Sequence, residues 1–336
     1  MQKKPIDASV VICCYTEERW HYLEKAIASV KAQTCTPREV IVVVDHNPEM
    51  LRRVQTSFDN ITVIENAELR GASGGRNSAI AVAQGEIIVF LDDDAVADPD
   101  WLEHLMAAFT SPDVLGVGGT TDTYWETGRP WWFPIEFDWV VGCTYRGVPT
   151  NLSPIRNLIA ANMSTRRSVF ERVGSFRSGF GRTGKNPIAA EETELCIRAQ
   201  QQWPNGHFLF EPKARVYQHV PPARSDWKYF QSRCYAEGIS KALVVKHVGA
   251  NDGLSAERTY TLFVLPTGML YGVWDALKGD LGGLGRAAAI FVGLLFTTCG
   301  YIAGTVQNKM TSWRQLFSPA GQLKSYSDNT LVQKGG

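Results

Sequence analysis

The 336-residue chain has no surplus of charge of either sign, with 34 lysines and arginines against 34 aspartates and glutamates. No broad positive field is available to hold a nucleic acid, and none is expected as a partner. Cysteine is sparse and odd in number: seven, at positions 13, 14, 35, 143, 196, 234 and 299, without C-x-x-C spacing. That argues against a disulfide framework or a cysteine zinc site and favours a reducing compartment. The opening MQKKPIDASVVICC lacks an apolar stretch long enough for a signal peptide before charge resumes at Glu17. A cytoplasmic catalytic domain is therefore expected, and the N-x-S/T triplets at Asn60, Asn151 and Asn162 read as chance matches. No G-x-G-x-x-G follows the first apolar run; "RGASGGRN" has the wrong spacing and comes after the third. With 44% hydrophobic and 20% charged residues, the composition is that of a globular protein.

What is present is an alternation of strand and helix. "SVVICCY", "EVIVVVDHNP" and "NITVIEN" read as buried strands, and "EIIVFL" over 86–91 as a fourth. Trp20, Leu23, Ile27 and Val30 recur at helical spacing within 17–33, and "GGRNSAIAVAQG" reads as a short helix closed by Gly85. Such alternation predicts a mostly parallel α/β sheet with helices on both faces, whose ligands bind beyond the carboxyl ends of the strands. Tyr15-Thr16-Glu17, Asp45-His46 and Asp92-Asp93-Asp94 all fall at such ends. One crevice is expected to gather them.

Residues 120–150 are dense in aromatics without clean periodicity, reading equally as a core-covering loop or as a wall for a ring-shaped ligand. A later helix, "AAEETELCIRAQQQWPNG", buries Leu195, Ala199 and Trp203 on one stripe. Beyond Lys246, 259–277 and 287–305 are nearly free of charge, and each would make a helix of about 28 Å against a bilayer core of about 30 Å. The expected organisation is a catalytic domain over 1–245 (a nucleotide half, 1–119, and an acceptor half, 120–245), an apolar helical hairpin over 246–310 and a polar tail over 311–336. The hairpin reads as membrane-associated, spanning or re-entrant; the alternative is packing on the soluble domain or on a second subunit. Lys309, Arg314, Lys324 and Lys334 suit a cytoplasmic C-terminus.

The crowding at Asp92, Asp93 and Asp94 asks for a cause. Two like charges about 4 Å apart repel by roughly 1 kcal/mol in water and about 4 at an effective dielectric near 20. Helix capping does not explain the triple, because Asp98 and Pro99 already read as N-cap and first helical residue. A phosphatase of the haloacid dehalogenase type would place its D-x-D after the first strand, whereas this one follows the fourth. A divalent cation held by carboxylate oxygens together with a substrate diphosphate remains.

In its order of motifs the chain resembles the family 2 glycosyltransferases of the GT-A fold. "VVICCYTEER", "RGASGGRNSAIAVAQGEIIVFLDDDAVADPDWL" and "NMSTRRSVFERVGSF" carry the likeness, which covers about residues 8–240. The resemblance implies a nucleotide-diphosphate sugar donor (a UDP-sugar by family habit), Mg²⁺ or Mn²⁺, and single displacement with inversion at the anomeric carbon. Position by position, it implies that Thr16, Glu17 and Asp45 contact base and ribose, and that Arg70 and Asn77 flank the nucleotide. Asp92 and Asp93 would hold ribose or donor sugar, and Asp94 would bind the metal.

The family has an acidic pair near the start of the later helix, whose second member is the general base. Here the pair is Glu191-Glu192, which puts Glu192 in that role with Glu191 beside it. Glu194 and Arg198 read as an ordinary i,i+4 pair. The likeness implies His219 as a further metal ligand and Arg224 on the diphosphate; Arg233 reads equally as a diphosphate contact or as a partner of Glu237. "RCYAEGISKA" before the apolar segments resembles the subset acting on lipid-linked or glycolipid acceptors at the membrane. A nucleotidyltransferase releasing pyrophosphate, or a non-catalytic membrane scaffold, are the competing classes. The former should carry a Gly-rich signature where this chain has "CCYTEERW", and intact acids argue against the latter.

Overall fold

The computed structural model describes residues 4–181 and 188–316. Strands β1 (Lys4–Cys14), β2 (Cys35–Val44), β3 (Thr62–Glu65) and β4 (Ile87–Asp92) lie parallel, crossed by helices α1 (Trp20–Lys31), α2 (Pro48–Ser57) and α3 (Ala72–Val82). The apolar runs are continuous because both faces are covered. Alternate residues divide between two cores. Val10, Ile12, Val42, Val44, Val89 and Leu91 pack on the side of α1 and α2. Val11, Ile41, Val43, Ile88 and Phe90 pack on the other, with Ala79 of α3.

The chain continues through β5 (Ala95–Ala97), α4 (Trp101–Ala107), β6 (Val114–Trp125), β7 (Ser153–Ile155), β8 (Asn162–Arg166), α5 (Arg167–Val173), α6 (Glu191–Gln202) and β9 (His207–Val220). One sheet of order β3-β2-β1-β4-β8-β6-β9-β5 results, with β7 also on β9. β8 runs antiparallel to both β4 and β6, so the parallel character holds only up to β4 and the sheet is mixed beyond it. Asn162 fixes this reversal. Its amide nitrogen donates to the carbonyls of Thr120 (3.0 Å) and Ala214 (2.8 Å), and its oxygen accepts from Trp101 Nε1 (2.8 Å). Fully buried and fully bonded, it ties β6, β8, β9 and α4 together. The triplet at Asn162 is thus a core element.

The start of α4 differs from expectation. Asp98 and Pro99 lie in a turn before the helix, because Ala95–Ala97 first pairs with β9. Gln33 does the capping from afar: its side chain donates to Asp98 O (2.7 Å) and accepts from Leu102 N (2.9 Å).

After β9 come α7 (Trp227–Val248), the short α8 (Ala250–Gly253) and α9 (Ser255–Thr259), a π-helical turn Tyr260–Val264, α10 (Leu265–Leu277) and α11 (Gly282–Leu316). The two apolar segments are unequal. Within α11, Gly282–Met310 is long and apolar enough to cross a membrane, whereas α10 has 13 residues, too few for the ~20 a span needs. The backbone of α11 runs past the expected start of the polar tail at 311, and residues 317–336 lie outside the described residues. Small residues seat α11 against α7 and α10. A Cβ on Gly238 would stand 2.1 Å from Thr297 O, and one on Gly300 2.0 Å from Tyr235 O. The opposite face of α11 leaves Leu284, Phe291, Leu295, Ile302 and Val306 exposed. The aromatic segment mostly bridges sheet and helices: Phe133 and Phe137 share a core with Phe230, Leu265 and Ile290.

Gly238→Ala should destabilise the protein by about 1–3 kcal/mol, since the new methyl meets backbone that must shift. Thermal unfolding compared with wild type measures this.

Candidate active site

A cavity of about 970 Å³ opens at the carboxyl ends of β1, β2 and β4 and continues to α7 and α11. It falls in the size range of small-molecule sites. Thr16, Asp45, Arg70, all three acids of the triple, Glu191, Glu192 and Arg224 line it. Glu17 and Asn77 do not. Glu17 begins a 3₁₀ turn beside the opening. Asn77 is turned away and clamps the segment after α5, donating to Phe176 O (2.9 Å) and accepting from Phe176 N (3.0 Å). Its side chain is a structural bracket, which corrects the expected place flanking the nucleotide. Asp45 also braces the local backbone: one carboxylate oxygen accepts from Asn66 Nδ2 (2.6 Å) and the other from Gly71 N (3.0 Å). Arg70 donates to His46 O (3.2 Å).

The crowded acids are neutralised by arginines. Arg19 Nη1 lies 2.6 Å from Asp93 Oδ1, and its other terminal nitrogen contacts Asp94. Arg224 Nη1 is 3.6 Å from Asp94 Oδ2, and Arg76 Nη2 is 3.4 Å from Asp92 Oδ1. Gln218 Nε2 donates to Asp94 Oδ1, while His219 N donates to Asp94 O at 2.8 Å. Burial pushes the Asp93 carboxyl up to about 6, with Arg19 opposing.

Strand parity sets the direction of the His219 side chain. Gln218 faces the acids, so the next side chain on β9 points to the opposite face. The imidazole sits between Tyr22 and Tyr124, at ring-centroid distances of 4.5 and 4.7 Å, with Nδ1 3.5 Å from Glu126 Oε1. It does not line the cavity.

The acids suit a hard cation. Asp93 Oδ2 is buried with no hydrogen-bond partner, and Arg19 bridges Asp93 to Asp94. Among the described residues no three His, Cys, Asp or Glu side chains form a ready-made cluster. Magnesium-type sites need none, because they use one or two carboxylates plus substrate phosphates.

The second acidic pair opens α6 behind Ala190, which sits at φ 77° in the left-handed region. A non-glycine residue there costs about 1–3 kcal/mol, a strain typical of functional sites. From this start Glu191 turns into the protein and meets Arg76 Nη1 at 2.6 Å. Glu192 makes no ion pair among the described residues and lines the cavity. Burial, and then the neighbouring Glu191 charge, raise its carboxyl to about 8, against the pull of its own backbone hydrogen bond and Arg76. Glu194 is fully buried between Arg198 (2.9 Å), as the spacing predicts, and Arg177 (2.8 Å).

Arg76 is the residue that sequence reasoning missed. It is buried and links Asp92 on β4 to Glu191 on α6. Its place one residue before Asn77 in "GGRN" was visible, but nothing marked which of the two side chains faces the acids.

Comparison with known proteins follows this geometry. Residues 9–174 match the family model described as glycosyl transferase family 2. A glucosyl-dolichyl phosphate glucuronosyltransferase of Haloferax volcanii is 34% identical over 306 residues, covering 88% of this chain and 95% of that one. The chain belongs to glycosyltransferase family 2. Glycosyltransferase AglE of the same organism is 30% identical over 126 residues, 36% of this chain and 41% of its own. Among solved structures, a mannosyltransferase from Pyrobaculum calidifontis in complex with GDP-Man and Mn²⁺ superposes with a TM-score of 0.55 at 18% identity, covering 98% of this chain and 89% of that one. The fold is of the GT-A type and the chain is a glycosyltransferase, as the resemblance implied.

Arg76→Met should strand Glu191 as a buried charge, a change of about 3–5 kcal/mol for a broken buried pair. Urea unfolding compared with wild type reads the loss.

Proposed function

We propose that this glycosyltransferase is metal-dependent and inverting, and that it moves a sugar from a nucleotide-diphosphate donor, a UDP-sugar foremost, to a hydroxyl of a sugar carried on a membrane lipid phosphate. One observation carries the reading. The Asp92–Asp94 triple, Glu192 and the inner faces of α7 and α11 line a single cavity. The strand tips thereby join an end where charged side chains of α7 (Arg233, Glu237, Lys241) stand among apolar Val244, Leu265 and Leu294. The exposed apolar face of α11 and the likeness to the Haloferax glucosyl-dolichyl phosphate glucuronosyltransferase support a lipid-borne acceptor. The catalytic cavity would lie at the cytoplasmic face of the membrane.

In this reading Thr16 and Asp45 face the base and ribose, with Glu17 at the rim. Asp92 and Asp93 hold ribose or donor sugar, and Arg70 and Arg224 meet the diphosphate, Arg224 through the bidentate contacts that guanidinium favours. Asp94 would hold a divalent cation, with the unpartnered Asp93 oxygen beside it; Mg²⁺ or Mn²⁺ there supplies charge to stabilise the departing diphosphate. Glu192 accepts the proton of the acceptor hydroxyl as its oxygen attacks the anomeric carbon and the bond to the nucleoside diphosphate breaks. Glu191, paired with Arg76, keeps that turn of α6 aimed. Arg19 screens Asp93 and Asp94 until donor arrives.

Asp94→Ala should abolish turnover and metal-dependent nucleotide binding; nucleotide binding that still responds to metal would remove Asp94 from the metal site. Release of nucleoside diphosphate, assayed over candidate donors and metals, identifies the reaction, and release of pyrophosphate instead would refute it.

Glu192→Gln should lower kcat by about 10²- to 10⁴-fold with donor binding kept, the usual contribution of a general base. Because the base must be ionised and burial holds Glu192 near 8, wild-type kcat/KM should climb with pH up to about 8 and level above it. A profile already flat from pH 6 would contradict this role.

A further inference from the structure

Beyond Glu192 the cavity meets a second charged group that the transfer chemistry does not use. Arg156 precedes the loop leading to β8, Lys241 lies on α7 and Glu257 on the five-residue α9. All three line the cavity and all are largely buried. The Glu257 carboxylate is gripped on both oxygens. Arg156 Nη1 reaches Oε2 at 2.5 Å, Arg156 Nη2 reaches Oε1 at 3.0 Å, and Lys241 Nζ reaches Oε1 at 2.8 Å. A planar guanidinium fork with an ammonium beside it is the arrangement that binds a phosphate. Burial alone would raise the Glu257 carboxyl, yet Lys241 and Arg156 hold it at about 2, so it is a permanent anion. The carboxylate therefore occupies an anion site.

Its surroundings say which anion. On the catalytic side, Glu237, itself 2.9 Å from Lys241, is close enough to Glu192 to add to the rise of its carboxyl. On the other side the cavity wall becomes Leu254, Tyr260, Leu265 and Leu294, from α10, α11 and the turns before them. Past these, Leu262, Phe263, Leu270 and Phe291 are exposed on the outer surface. An anion bound here shares its cavity with Glu192 and with apolar side chains of α10 and α11, two helices that also carry exposed apolar residues. Glu257 also sits just before the π-helical turn Tyr260–Val264, a distortion frequent at functional sites.

Resting on the lipid-acceptor reading above, we propose that Arg156 and Lys241 form the subsite for the phosphate of a prenyl-phosphate-linked sugar acceptor, and that the Glu257 carboxylate plugs this subsite until that phosphate displaces it. Arg156 and Lys241 exchange one anionic partner for another, and α9 moves aside. No covalent step is involved.

The test is equilibrium binding of farnesyl phosphate to the full chain in detergent micelles, with farnesol, inorganic phosphate and UDP plus Mn²⁺ as comparison probes. Wild type should prefer farnesyl phosphate to farnesol. Arg156→Gln should bind farnesyl phosphate about 10- to 100-fold more weakly, the scale of lost hydrogen bonds to a charged group, while UDP binding with Mn²⁺ stays unchanged. Arg156→Lys should recover part of the loss. Glu257→Gln should bind farnesyl phosphate more tightly than wild type, a gain that misfolding cannot produce. Unchanged affinity in Arg156→Gln, equal affinity for farnesol, or weakened binding in Glu257→Gln would each overturn the subsite. Binding of inorganic phosphate as tight as farnesyl phosphate would make it a site for free phosphate and overturn the prenyl assignment. If wild type binds UDP with Mn²⁺ but no prenyl phosphate at all, the lipid-acceptor reading itself fails, an outcome distinct from failure of the subsite alone.

Discussion

The structure turns on one buried guanidinium. Arg76 stands on α3 between Asp92, at the tip of β4, and Glu191, at the start of α6. These acids come from segments about a hundred residues apart; Glu191 is buried and would be costly to leave unpaired, because the effective penalty for an unpaired buried ion is several kcal/mol, whereas Asp92 is partly exposed and holds Arg76 more loosely. Held together, they set the distance between the tip of β4 and the start of α6, which the proposed function assigns to donor and base. Removing water from one acid obliges the other two groups to stay in place. The constraint is electrostatic, and it makes a single site out of two halves of a mixed sheet.

The same logic answers why the chain tolerates three consecutive aspartates. Each is matched by an arginine from elsewhere: Asp92 by Arg76, Asp93 by Arg19, Asp94 by Arg19 and Arg224. These pairings neutralise the acids, and under the proposed function a donor diphosphate arriving with its cation would offer the arginines new partners. Asp93 still rises to about 6 despite Arg19, and Glu192, which has no ion-pair partner among the described residues, rises further, to about 8.

Much of this was legible in the sequence, for definite reasons. Continuous runs such as "VIVVV" and "IIVFL" announce strands covered on both faces, and their ends announce the cavity. The ordered motifs around the triple acid announce the family. What escaped reading depends on parity and on distant partners. Whether Gln218 or His219 faces Asp94 is decided by the register of β9 against β5, which a histidine before Pro-Pro does not reveal. Arg19 and Arg76 belong to no charge pattern along the chain, since their acids are remote in sequence. Asn77 looked like a ligand contact because it lies within the motif, yet its amide is consumed by Phe176. The two apolar segments looked alike by composition, but Pro266 and the π-helical turn before α10 leave only the second as a long helix.

In the proposed reaction the cavity that runs from the charged strand tips to α7 and α11 would bring two substrates together at one carbon atom, with the acceptor hydroxyl opposite the departing diphosphate. The stereochemistry of the product reports that placement directly. Nuclear magnetic resonance of the linkage formed from an α-linked nucleotide sugar is expected to show a β-glycoside, inverted by a single displacement with Glu192 as base. An α-linked product would mean retention, and would contradict the arrangement of donor, base and acceptor on which the whole site depends.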